Sequence, residues 1–417
     1  MSFRSSIEYS IQGGIPMKRF LVLVLALAML FSLVSFASAE GYSGELKIWV
    51  AEAVVDFTNQ QVEAFKAAHP EYAGMTVVVQ PVGEGDAAAN MITDVEAGAD
   101  IFGFAQDQLA RLVAAGALEE VEPGNAEVVK AENDAGSVAA VTLGETMYAY
   151  PMTSDNGYFL YYDKSVVTDP SDLDKILADC DAAGKKFYME INSGWYQTAF
   201  FFGAGCELTF DSDNEGNLVA MNASYASDEG VKALKAMIRL ANSPAFVNGS
   251  SVSNATNAAA IVDGTWDATA AKELFGENYA TAKLPVVDGF QLGGFGGFKM
   301  LGVKPQTDDD KLAACDALAA FLTSEEVQLA RFNAVGWGPS NLAAQANEAV
   351  QADEALSALA QQLAFCAPQG QYPGDYWSLA TALGDDIIGG KLNDTDDAGL
   401  LETLKNFEAT CESYLTK

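Results

Sequence analysis

The sequence predicts an α/β fold of two lobes whose connections cross between them more than once, followed by a largely helical C-terminal region. Three observations carry this. Strand-like and helix-like stretches alternate through the first half of the chain, the pattern of helices laid on a parallel sheet. The alternation resumes after a polar corner at Thr153 to Asn156. Roughly 375 residues beyond an export segment are also too many for one hydrophobic core.

The first unit reads in order as the strand LKIWV (46–50), the helix VEAFKAAH, the strand MTVVVQPV (75–82), the helix AAANMITDVEAG and the strand ADIFGFA (99–105), with a further helix beginning near Asp107. Two apolar strands, ETMYAYPM and GYFLYYDK, flank the polar corner, which reads as a crossing between lobes. In the second unit the helix SDLDKILADCDAAG opens on a Ser/Asp capping signal, and the strand KFYMEI and a helix from Trp195 follow. ELTFDSDNEGNLVAM has the alternation of a hairpin. Its acidic turn resembles a calcium loop, but the twelfth position is Asn222, where such a loop needs a bidentate Glu, so no metal site is expected. Then come the amphipathic helix GVKALKAMIRLANS, the strand AAIVDG, the turn and helix GTWDATAAKELFG, and the strands YATAKLP and GGFGGFKMLGV, the second returning to the first lobe. The glycines of GGFGGF match no phosphate-cradling loop, and close backbone packing or a hinge accounts for them.

Met17 to Ala39 has the form of a secretory signal peptide: a basic start, an apolar run from Phe20 to Val34 and an A-x-A cleavage site. About fifteen apolar residues fall short of the roughly 20 that span a membrane. Residues 1–16 lack this logic and read as a gene-start artefact. An extracytoplasmic protein is expected, periplasmic or secreted, without a lipid-anchor Cys at the cleavage point. The formal charge is -34. Removing Arg4, Lys18, Arg19 and Glu8 with the signal takes away a net +2 and makes it -36. Such a chain repels nucleic acid and anionic lipid. Cys180, Cys206, Cys315, Cys366 and Cys411 include no C-x-x-C pair, and His69 is the one histidine, so no Cys/His metal site is expected. Export permits disulfides. Cys315, inside an apolar helical pattern, reads as the unpaired cysteine, and the other four allow three pairings.

Trp49, Trp195, Trp266, Trp337 and Trp377 all fall at element ends beside small or acidic residues. That placement points to a recessed recognition surface built from loops. Within INSGWYQTAF, Trp195 and Tyr196 stand side by side at a polar helix start. A sugar ring has apolar C–H faces that suit aromatic rings, and hydroxyls in the ring plane that suit carboxylates. Glu52, Asp107, Asp155, Asp267 and Asp375 occur at the same kinds of position. Without a second histidine a Ser-His-Asp or Cys-His arrangement has no base. Two carboxylates suffice for glycoside hydrolysis, but no acidic pair stands out by context. A polyamine or other organic cation held by aromatic faces and carboxylates is the competing ligand class.

These residues resemble bacterial extracellular solute-binding proteins of the maltose/maltodextrin-binding type, the receptor subunits of ABC importers. The likeness lies in the order of ELKIWV, ADIFGFAQDQLARLVAAGALEEV, ETMYAYPMTSDNGYFLYYDKSVV, AAIVDGTWD, AKLPVVDG, AAFLTSEEVQLARFNAVGWGPSN and DYWSLATALGDDIIGGK. It implies two Rossmann-like lobes of the type II periplasmic-binding-protein kind, over residues 44–153 with 300–352 and 154–299 with 353–417. It also implies a monomer without catalysis or cofactor that closes over an oligosaccharide, foremost an α-glucan, and docks onto a permease. Carried over by position, Asp107 resembles the family's hydroxyl-binding Asp, Phe104 an accompanying aromatic and Asp155 an acidic hinge residue. Trp195 takes the place of a stacking Tyr and Trp266 of a stacking Trp, while Tyr376 or Trp377 matches another stacking aromatic. Glu52, Tyr196 and Trp337 complete the expected ligand-binding set, with Ser193 and Gly194 letting the sugar approach the backbone. Gln108, Ala53 and Ser193 depart from the Arg, Lys and Glu common at those places, which alters the hydrogen-bonding set.

Overall fold

The computed structural model describes residues 41–416, and the expected signal peptide lies outside them. In chain order the strands that build its two larger sheets are β1 (Glu45–Val50), β2 (Thr76–Pro81), β3 (Ile101–Ala105), β4 (Ala149–Asn156), β5 (Tyr158–Asp163), β6 (Lys186–Tyr188), β7 (Phe246–Val247), β8 (Ala258–Gly264), β9 (Tyr279–Ala282), β10 (Gly294–Val303) and β11 (Cys366–Pro368).

The first sheet runs in the order β11-β10-β3-β1-β2, with β4 also paired to β10. β1 is parallel to β2 and β3, while β10 returns antiparallel to β3 and β4. The second runs β7-β6-β8-β5-β9, with β6 parallel to its neighbours and β5 antiparallel to β8 and β9. Every residue of β3 and of β8 is buried, as strands covered by helices on both faces require. Leu46, Ile48, Phe65, Phe102 and Leu318 belong to the core around the first sheet. Leu160, Phe187, Phe200, Leu234 and Val262 belong to a core of the second. The two sheets and their helices are the two-lobed α/β architecture the sequence predicts.

Three local readings need correction. β4 runs without a break through Thr153 to Asn156, and the chain turns to β5 at Gly157. The polar residues expected to interrupt two strands at a corner are mostly buried within β4, where Thr153 and Lys299 are ladder partners in the first sheet. The C-terminal region contains the strand β11, whose three residues are too few to leave a period-2 signal. All five cysteines are free, and Cys315 is fully buried as read, but the four others form no disulfide.

Asp155 fastens this region. Its Oδ2 accepts Thr265 Oγ1 and the backbone amide of Gly338, each at 2.5 Å, so one buried carboxylate ties β4 to the turn after β8 and to the Gly338 loop. Replacing it by alanine orphans two buried donors. We expect Asp155→Ala to lose about 2 to 4 kcal/mol of unfolding free energy in urea; a loss below about 1 kcal/mol would show the tie to be dispensable.

Candidate functional site

The loops at the ends of strands from the two sheets enclose a cavity of about 750 Å3. This is where an open α/β sheet places its ligands. From the first lobe come Glu52 after β1, Glu84 and Asp86 after β2, and Asp107 in the tight turn Gln106–Gln108 after β3. The second lobe contributes Trp195 and Tyr196 at the start of the helix Gly194–Gly203, and Trp266 in the turn Thr265–Asp267 after β8. Trp377 projects from the helix Gly374–Ile388. Trp337 follows Gly336, which closes the helix Glu325–Val335 at φ 78°, a left-handed conformation glycine adopts without strain.

The two aromatics of INSGWYQTAF have separate tasks. Ser193 caps the helix by accepting the Trp195 amide at 3.3 Å, which fixes the direction of the first turn. Trp195 stays half-buried against the edge of Tyr158, ring centroids 4.6 Å apart, with Trp266 at 5.8 Å. Tyr196 touches the cavity but is 95 % buried, its hydroxyl donating to Asp263 Oδ1 at 3.3 Å. Burial, with Asp267 close by, pushes the Asp263 carboxyl well above its ordinary range. Gly194 does not open the backbone to a ligand: a Cβ there would lie 2.6 Å from Ala380 Cβ, so the glycine serves close packing of two helices.

Gln369, which the sequence reading passed over, joins the walls. Its Nε2 donates to Asp107 Oδ1 at 2.8 Å, and its Oε1 accepts Trp195 Nε1 at 3.1 Å and Asn156 Nδ2 at 3.2 Å. Asp107 is buried, and desolvation lifts its pKa to about 7 against the opposing pull of Arg111. Gln108, standing where an Arg was expected, borders the cavity with its amide committed to the neighbouring backbone. Its amide donates to Glu84 O at 2.6 Å and accepts the Ala88 amide at 3.0 Å, holding the Glu84 loop.

Lys299 was also missed. It is the one cationic side chain among the described residues lining the cavity, 6 % exposed on β10. Its ammonium sits 4.7 Å from the Trp266 ring centroid and 4.1 Å from that of Trp337, within cation–π range of both. Trp337 Nε1 and Glu84 Oε1 are buried without a partner.

Of the expected set, Glu52, Asp107, Trp195, Tyr196, Trp266, Trp337 and Trp377 line the cavity. Phe104, Asp155 and Tyr376 lie behind its wall. Phe104 is wholly buried in the first core, because β3 is covered on both faces. Asp155 is buried with its Oδ2 taken by two hydrogen bonds, and Tyr376 is buried with its hydroxyl 3.3 Å from Gly194 O. Of Tyr376 and Trp377, it is Trp377 that lines the cavity. Trp49 stays in β1, its indole donating to Gln80 Oε1 at 3.1 Å. Asp267 lines the cavity, whereas Asp375 is exposed elsewhere. Among the described residues no cluster of His, Cys, Asp and Glu is placed to hold a metal ion. The cavity thus offers aromatic faces, carboxylate acceptors and a few donors.

A family model described as bacterial extracellular solute-binding protein matches residues 60–358. The galactooligosaccharide-binding protein of Bacillus subtilis is 23% identical over 86% of this chain and 87% of its own length. A solved structure with acarbose is 28% identical over 87% of this chain and 98% of that one, with a TM-score of 0.75. The unliganded maltodextrin-binding protein MalE1 from L. casei BL23 is 24% identical over 88% and 99%, with a TM-score of 0.71.

Burial of Asp107 makes the stability of the fold depend on pH. An acid whose folded value exceeds its unfolded value of about 3.9 is best tolerated when protonated, so its contribution to stability is present below about pH 4 and lost as pH rises through 7. Relative to Asp107→Asn, the unliganded protein should lose on the order of 4 kcal/mol between pH 4 and pH 8 in urea unfolding. A difference that does not change with pH would contradict the burial of an ionisable Asp107.

Proposed function

The chain belongs to the bacterial extracellular solute-binding proteins, and from that premise we propose that it is the receptor of an ABC importer, capturing an oligosaccharide between its lobes and delivering it to a membrane permease. The observation that carries this is the cavity itself, in which half-buried Trp195, Trp266 and Trp377 and the carboxylates of Glu52, Asp107 and Asp267 surround a space of about 750 Å3. Indole faces cover the C–H faces of sugar rings, and carboxylates accept hydroxyl donors more strongly than neutral groups do. A sugar that lacks a hydroxyl opposite a carboxylate leaves a buried acceptor unpaired, at about 1 to 3 kcal/mol. Such a site binds and releases without bond cleavage.

A maltooligosaccharide is the finer assignment. It draws on the similarity to a protein solved with acarbose and to maltodextrin-binding proteins, with a galactooligosaccharide next in line. Both lobes would contact the sugar only when closed, so binding favours the closed state. A polyamine would meet the Lys299 ammonium inside the cavity, which disfavours it.

Titration with maltotriose and with galactooligosaccharides should give a saturable change in tryptophan fluorescence. Trp266→Ala and Trp195→Ala should each weaken binding at least tenfold, about 1.4 kcal/mol, while Trp49→Phe keeps the affinity. Equal affinity in all three variants would remove the two indoles from the site, and a response to spermidine alone would replace the sugar reading by the cation one.

A further inference from the structure

Among the described residues the cavity is lined by one cation, and none of the carboxylates around it is paired with that cation. Lys299 is 6 % exposed, and among the described residues no carboxylate forms an ion pair with its ammonium and no acceptor takes its hydrogens. An unpaired buried charge is unfavourable, and the faces of Trp266 and Trp337 offset part of that. Beside it, the Trp337 indole N–H is a second buried donor without a partner. An ammonium and a neutral, unpartnered N–H donor on two side chains that line one cavity form half of an anion receptor.

The acidic side chains of the walls do not complete it. Glu190 Oε2 accepts Ser250 Oγ at 2.8 Å, Asp267 Oδ2 accepts the Val252 amide at 2.9 Å, and Asp107 accepts Gln369. Glu52 and Asp86 are exposed at the rim. Glu84 keeps one buried, unpartnered oxygen, which suits a hydroxyl donor. The site is thus divided into a region of acceptors for hydroxyls and one point of positive charge.

We infer that the sugar this protein selects carries an anionic group, the carboxylate of a uronate unit, which binds the Lys299 ammonium and the Trp337 indole N–H. The inference rests on the oligosaccharide reading and deepens it. The other rings of the sugar stack and donate hydroxyls as that reading describes, while the uronate sets the register of the chain in the cleft.

Calorimetric titration of the purified protein with maltotriose, a galactotriose, and forms of each with one 6-hydroxymethyl group oxidised to carboxylate tests this. One carboxylate form should bind at least tenfold more tightly than its neutral parent, and the ratio should fall below twofold in Lys299→Met. Lys299→Arg should keep it. Lys299→Gln, which retains donors without charge, should lose it and gives the same answer if the methionine variant fails to fold. A neutral sugar bound as well as its carboxylate form, or a preference that survives loss of the charge, overturns the uronate assignment alone. No binding of any of the four sugars overturns it together with the oligosaccharide reading.

Discussion

One neutral amide holds the site together. Gln369 is 98 % buried and meets a carboxyl from the first lobe, an indole from the second and the Asn156 side chain at the end of β4. An amide can donate and accept at once, so it links an acceptor (Asp107) to two donors (Trp195 and Asn156) and leaves each satisfied. A charged residue there would have added a buried charge to the one at Asp107, and an apolar one would have orphaned all three neighbours. The backbone permits this placement because Gly297 lies alongside, with the position of an added Cβ only 3.0 Å from Gln369 Oε1.

The same strand that makes room for Gln369 delivers Lys299. β10 pairs with β11 through Gly294 to Gly296 and with β3 through Lys299 to Val303, so its middle crosses the base of the cleft. Trp266 packs against the first core although it follows a strand of the second sheet, and the Lys299 ammonium lies between it and Trp337. The tryptophans therefore divide by task. Trp195 and Trp377 remain partly exposed to a ligand, Trp337 is committed to Lys299, and Trp266 serves both.

Much of this was legible in the sequence because it follows from period and punctuation. The alternation of β1, β2 and β3 with helices, the cap at Ser193 and tryptophans at element ends are local signals. What escaped depends on three-dimensional partners. Phe104 lies in β3, and a strand buried on both faces carries no alternation to say which side chains reach a cleft. Asp155 read as an acidic hinge residue of the ligand-binding set, because its partners, Thr265 and Gly338, are over a hundred residues away in the chain. Lys299 is a single polar residue in the apolar run GGFGGFKMLGV, and Gln369 stands in the Pro- and Gly-containing stretch APQGQYPG, so neither carries a local signal. Tyr376 and Trp377 differ by about 100° on a helix, and only tertiary packing leaves Tyr376 buried and Trp377 at the cavity.

The central claim is that the cavity binds an oligosaccharide reversibly and does not alter it. Equilibrium dialysis against a labelled maltooligosaccharide, followed by mass analysis of the recovered sugar, tests this most directly. The account predicts one sugar bound per chain and recovered intact. Shortened products, or no retained sugar from either the malto or the galacto series, would contradict it.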